Sequence, residues 1–220
     1  MATNNLSNPL IQLIPTAKKH YLCGSTAIMS IYTAWFKFKG WEFDTASMTE
    51  EAHNCVMIAA PHTSNWDLMY MMGSFGLLGI KIRFTIKNEW QNTPIISRII
   101  ENLGAIWIDR SPKIGSTERK SMTEAMVDLF RANPRLTLVV TPEGTRAKRT
   151  EWKTGFYHVA VQAGVPIGLG YLDYKKKKAG VGKFIHPSGD MEKDLREIMA
   201  FYKTIHPRHP KDFSVDLRYS

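Results

Sequence analysis

Between residues 54 and 170, short apolar runs of strand length alternate with longer segments whose apolar residues recur at helical spacing. This alternation constrains the fold more than any single motif, because strand–helix–strand repetition marks a sheet covered by helices. The first clear unit is Val56-Met57-Ile58-Ala59-Ala60, inside a strand over 54–60. The apolar stretch from Leu68 to Ile80 follows; it is too long for a strand and reads as a helix over about 66–79. Gly73, Gly76 and Gly79 recur every third residue along it, which favours close packing on a neighbour over stand-alone helix stability. Further strands are expected over 82–86, 105–108 and 136–140. Between them, Pro94 opens a helix ending near Leu103-Gly104. Met122, Ala125, Met126, Leu129 and Phe130 line one face of another, stopped by Asn133-Pro134. Phe156, Val159, Ala160 and Ala163 mark a helix closed by Gly164, and Asp190 caps a last one. Strands over 165–172 and 181–185 flank a turn at the lysines 175–178.

The resulting expectation is an α/β chain: a single domain with a mostly parallel central sheet flanked by helices, preceded by an N-terminal helix. Residues 1–40 form an arm and an apolar helix over 20–38, ended near Gly40, and residues 41–220 form the domain proper. The first seventeen residues are polar, with Pro9 and Pro15, and lack the basic start and apolar core of a secretory leader. Tyr21 to Phe36 carries no charge but is short for a membrane span and holds Gly24, Ser25, Thr26, Ser30 and Thr33. Trp35, Phe36, Phe38 and Trp41, interleaved with Lys37 and Lys39, suit a membrane interface; they equally suit a helix that packs on the domain.

Polar chemistry collects at the strand ends. His62 and Asp67 lie five residues apart at the junction between the first strand and its helix. On a continuous helix such residues would diverge by about 140°. They meet if His62 precedes the helix and Asp67 sits on its first turn, where Thr63, Ser64 and Asn65 are good caps. A carboxylate on one ring nitrogen then fixes the tautomer and leaves the other nitrogen as a base. Asp109-Arg110 and Glu143-Gly144-Thr145-Arg146 end two later strands. In a parallel sheet these clusters share one edge, the carboxyl edge where ligands of open α/β sheets bind.

The chain carries 29 Lys and Arg against 20 Asp and Glu, a formal charge of +9, so anionic partners are expected. Those residues are scattered and no nucleic-acid motif appears, so a non-enzymatic nucleic-acid-binding module is the lesser alternative. Cys23 and Cys55 provide neither a disulfide framework nor zinc spacing, and a reducing cytoplasm is the expected setting. Ser64 lacks the Gly-x-Ser-x-Gly elbow of a serine nucleophile.

Taken in order, His62-x-x-x-x-Asp67, Gly104-Ala105-Ile106-Trp107-Ile108-Asp109-Arg110, Pro142-Glu143-Gly144-Thr145-Arg146 and Val165-Pro166-Ile167 resemble the four blocks of the glycerolipid acyltransferases. The nearest resemblance is to the 1-acylglycerol-3-phosphate acyltransferases and their short bacterial relatives, which Trp152-Lys153-Thr154-Gly155-Phe156-Tyr157-His158 also resembles. The resemblance covers roughly residues 39–204. Pro61, Thr141 and Gly168-Leu169-Gly170 depart from the usual pattern and leave the acceptor open.

The resemblance implies an O-acyltransferase of phospholipid biosynthesis with no cofactor and no metal. His62 would be the general base and Asp67 its orienting partner. Glu143, Gly144, Thr145 and Arg146 would bind substrate, with Arg146 on the acceptor phosphate and Glu143 positioning Arg146 or a hydroxyl. Arg110 would be a second anion site and Lys87 a weaker one. The implied donor is acyl-CoA or acyl carrier protein. The acceptor is a lysophosphatidic-acid-like lipid, or alternatively a glycolipid, an aminolipid or another lysophospholipid. No nucleic acid partner is implied. The place of action is the cytoplasm, peripherally on the inner face of the cell membrane. His158, His186, His206 and His209 show no partner pattern in sequence.

Overall fold

The structure, a computed structural model, describes residues 26–47, 49–80, 82–85, 101, 104–106 and 121–220. Its centre is the apolar segment read first in the sequence. Strand β2 (Cys55–Ala59) lies between β5 (Thr137–Val140) and β6 (Ile167–Asp173), parallel to both. Beyond β5 come β3 (Ile82–Thr85) and β4 (Ala105–Ile106); beyond β6 come β7 (Lys178–Ile185) and β1 (Glu42–Phe43). The described sheet thus runs β1-β7-β6-β2-β5-β3-β4, and only the β6–β7 pair is antiparallel.

Side-chain alternation splits the core into two layers. Val56, Ile58, Leu138, Ile167 and Leu169 face helices α3 (Met122–Ala132), α4 (Gly155–Ala163) and α5 (Met191–Tyr202). Cys55, Met57 and Val139 face α2 (Trp66–Leu78), where Met72, Phe75 and Leu78 meet them. Helices on both faces make this a single α/β domain, as the alternation predicts.

Helix α1 (Thr26–Phe38) lies outside α2. The two backbones approach closely because Gly73 and Gly76 face α1. A Cβ on Gly73 would sit 2.7 Å from Phe36 Cβ, and one on Gly76 would sit 2.7 Å from Thr33 Oγ1. Gly79, third of the series, instead ends α2 in the left-handed region at φ 69°. Phe36 is fully buried and Trp41 nearly so, with Trp41 stacked on Tyr70 at 4.2 Å. Ile31 and Phe38 are exposed. So one face of the aromatic segment packs on the domain and the other is bare. Among the described residues, no helix is long and apolar enough to cross a membrane.

Local sequence explains most boundaries. Ser121 and Glu124 form a capping box at α3, and the Asp190 side chain accepts from the Lys193 N–H at α5. The lysine turn sits at residues 174–177, one residue earlier than the run of lysines implies, because Lys178 already pairs with Asp173 across the hairpin. The two-residue β1 shows no periodicity and was not foreseen. Of the helix expected after Pro94 only Glu101 and the closing Gly104 are described, and the strand residues 107–108 lie outside the described residues.

The chain's last described stretch is tied back by polar contacts. Asp216 Oδ2 accepts from the Trp152 N–H at 2.9 Å, Leu217 N–H donates to the Thr150 carbonyl at 2.8 Å, and Arg218 donates to both Asp216 and the Trp152 carbonyl. Burial alone would raise the Asp216 carboxyl, but the Arg218 guanidinium and the backbone N–H groups of Trp152 and Arg218 hold it below the ordinary value.

Candidate active site

The junction after β2 brings His62 and Asp67 together as the spacing requires. The His62 ring precedes α2, Asp67 sits on its first turn, and Nδ1 lies 3.2 Å from Asp67 Oδ2. The same Oδ2 accepts from the Thr63 and Ser64 N–H groups, each at 2.9 Å. The usual capping relation is therefore inverted. Asn65, at the N-cap position, makes no side-chain cap bond, and the carboxylate inside the first turn reaches back to the loop donors. Asp67 is buried while His62 keeps part of its ring exposed. With Nδ1 engaged, Nε2 is the nitrogen left for chemistry, and His62 lines a cleft.

Parallel pairing places the ends of β5 and β6 on either side of that junction. From the β5 side comes Glu143, buried, whose Oε2 accepts from the His62 N–H at 2.9 Å. Burial pushes this carboxyl up to about 8; the His62 N–H pulls it down and the nearby Asp67 charge adds to the rise. Its bond goes to the backbone of His62, so Glu143 links the two motifs directly. From the β6 side comes Tyr174, whose hydroxyl donates to Asp67 Oδ1 at 2.6 Å.

Gly144 turns the chain at φ 66°, a left-handed conformation that glycine adopts without penalty. Thr145 Oγ1 accepts from the Ala147 N–H, and Arg146 is exposed at the cleft wall. Lys153, on the same wall, is anchored by its N–H to the Pro142 carbonyl at 2.9 Å. The contacts of residues 216–218 to Thr150 and Trp152 brace this loop. Arg110, with Asp109, and Lys87 lie outside the described residues. Cys55 stands at the opposite end of β2 from the site, buried, with its thiol pushed up to about 12 by that burial.

Among the described residues the cleft measures about 1130 Å³. One part is polar, with His62, Asp67, Arg146 and Lys153; the rest is largely apolar, with Met57, Met71, Phe75, Leu78 and Val139. A base, nearby cations and a largely apolar lining fit a substrate with a polar reacting end and a hydrocarbon tail.

Sequence reasoning passed over Tyr174, Lys153 and the bracing by Asp216 and Arg218. Tyr174 had one available signal: it ends the strand beside β2 on the same sheet edge. His186 and His206 have carboxylate partners that their sequence context does not announce. His186 Nε2 is 2.7 Å from Glu51, and His206 Nδ1 is 3.1 Å from Asp173.

No curated protein matches the chain. The crystal structure of the 1-acyl-sn-glycerophosphate (LPA) acyltransferase PlsC from Thermotoga maritima shares the fold, with a TM-score of 0.54 and 16% sequence identity over 80% of this chain and 76% of that one. The profile of the Acyltransferase family matches residues 42–168, a span that holds His62, Asp67 and the block from Glu143 to Arg146. Matched over more than half of its length, the chain belongs to the acyltransferase family and is an acyltransferase enzyme.

Proposed function

We propose that this acyltransferase moves a fatty acyl group from acyl-CoA or acyl carrier protein to a hydroxyl of a lysophosphatidic-acid-like lipid, in phospholipid biosynthesis. The observation that carries the reading is the His62–Asp67 pair at the polar end of a largely apolar cleft. His62 Nε2 takes the proton from the acceptor hydroxyl as its oxygen attacks the thioester carbonyl. The new C–O bond forms, the C–S bond breaks, and the imidazolium returns the proton to the leaving thiolate. Asp67 orients the ring and stabilises the imidazolium; proton transfer to a positioned base such as His62 contributes about 10²–10⁴-fold. Arg146 binds the acceptor phosphate, its guanidinium fork matching phosphate geometry. Arg110 and Lys87 are further anion-binding candidates.

The enzyme works at the inner face of the cell membrane through peripheral attachment. Exposed Ile31 and Phe38 on α1, and Trp66 and Leu68 on α2, support this, since Leu68 also lines the cleft. The test is thiol release from palmitoyl-CoA or palmitoyl acyl carrier protein with a panel of lysophosphatidic acid, other lysophospholipids, a glycolipid and an aminolipid. Lysophosphatidic acid should be the preferred acceptor. His62→Ala should abolish transfer with thermal stability nearly unchanged, and Asp67→Asn should be severely impaired. Wild-type turnover by His62→Ala would refute the mechanism, and preference for an unphosphorylated acceptor would refute the substrate.

A further inference from the structure

We propose that Tyr174 is a positioning residue of the catalytic pair, holding the Asp67 carboxylate by Oδ1 and setting its strength as the partner of His62; this rests on the reading of His62 as the base. Asp67 Oδ2 already accepts from Thr63, Ser64 and the His62 ring. Tyr174 supplies the contact on Oδ1, at 2.6 Å the shortest of the four. Three donors fix where the carboxylate lies. The fourth draws electron density toward Oδ1, and so governs how strongly Oδ2 holds the imidazolium that forms in the reaction.

The hydroxyl's place is built from elements outside the motifs. The Tyr174 ring packs edge-on against Trp41 at 5.0 Å and Tyr70 at 5.6 Å. Its N–H donates to the His206 carbonyl at 2.9 Å. One residue earlier, buried Asp173 accepts from the Lys176 N–H and from His206 Nδ1. Ring and backbone are thus held without the hydroxyl. Burial, with the bond to Asp67, pushes the Tyr174 hydroxyl well above the ordinary tyrosine range, so it stays a donor wherever the enzyme works. The other charged or titratable groups around the contact are Glu143, Arg208, whose guanidinium lies 5.9 Å from the Tyr174 ring, Tyr70, and the Asp173–His206–Lys176 cluster.

The test is direct titration of the His62 ring by NMR in full-length protein with labelled histidine, the signal assigned by its absence in His62→Ala. Tyr174→Phe keeps the ring packing and removes the donor. It should move the His62 midpoint upward by about half a pH unit. Half a unit read as a ratio is about threefold, so kcat should rise by no more than that, with KM for palmitoyl-CoA unchanged. Replacing Tyr174 with 3-fluorotyrosine keeps the hydroxyl, makes it a stronger donor, and should move the midpoint the opposite way. This second variant carries the test if Tyr174→Phe does not fold. A role in packing alone would lower the melting temperature and leave the midpoint in place. An unmoved midpoint, or displacement in the same direction by both variants, overturns the proposal. Full activity in His62→Ala would instead overturn the base assignment, whatever the titration shows.

Discussion

At the scale of single residues, the site is organised by two carboxyls with opposite surroundings. Asp67 is surrounded by donors, whereas Glu143 is buried with one N–H and a neighbouring negative charge. Glu143 therefore binds a proton in the native state up to about pH 8, while its ordinary value is 4.5. Across that window the folded chain holds a proton that the unfolded chain has lost, so stability falls as pH rises, by at most about 1.4 kcal/mol per pH unit. Glu143→Gln keeps an acceptor for the His62 N–H and removes the titration. The melting temperature of the variant relative to wild type should therefore rise from pH 5 to pH 8; a flat difference would mean Glu143 is ionised throughout. Arg146, exposed on the cleft wall, should act on the acceptor. Arg146→Ala should cut kcat/KM for a phosphorylated acceptor about 10–150-fold, with little change for the thioester, and Arg146→Lys should recover only part. His62, Asp67 and the block from Glu143 to Arg146 were legible because each lies at a strand end within a short, ordered motif. Tyr174 was not, because its contact with Asp67 spans 107 residues and no local pattern encodes it.

At the scale of elements, the close approach of α1 and α2 rests on the absence of side chains at Gly73 and Gly76. Helix propensity alone favours Gly73→Ala by about 1 kcal/mol. The added Cβ would meet Phe36 Cβ at 2.7 Å and the Tyr32 carbonyl oxygen at 2.9 Å, and a backbone atom cannot swing aside. Overpacking of this kind costs about 1–3 kcal/mol, so the net effect is destabilising. Calorimetry should show a melting temperature lowered by about 2–4 °C at a net loss of 1 kcal/mol; an increase would mean that α1 does not pack here. The glycine spacing made this contact readable in sequence, and apolar periodicity did the same for β2, α2, α3, α4 and α5. The two-residue β1 and the ties from residues 216–218 were not readable. The first is too short to show a period, and the second depends on which loop the chain happens to pass.

At the scale of the whole molecule, one side carries both bare apolar residues and cations. Phe38 and Ile31 project from α1, and Trp66 stacks on Trp35 at 5.7 Å with Arg208 over its ring. Lys39 lies over the rings of Trp35 and Phe38. Sequence composition left interface and core as equal readings of this segment, because a helix can serve both with opposite faces. The expected outcome is co-sedimentation with anionic vesicles, weakened by salt and by Phe38→Ala combined with Ile31→Ala. Each well-placed Lys or Arg contributes about 1 kcal/mol near an anionic surface. Protein left in the supernatant with anionic and neutral vesicles alike would remove the membrane from the proposal.

The sheet order also bears on how the enzyme is born. β2 is made early, yet its neighbours β5 and β6 follow roughly 80 and 110 residues later. The His62 N–H waits for Glu143, and Asp67 waits for Tyr174. Such non-local pairings raise contact order and slow folding. During refolding, helical signal should return first and acyl transfer last, with a lag set by closure of the central strands. Until β5 and β6 close on it, the newly made His62–Asp67 segment has neither Glu143 nor Tyr174 beside it.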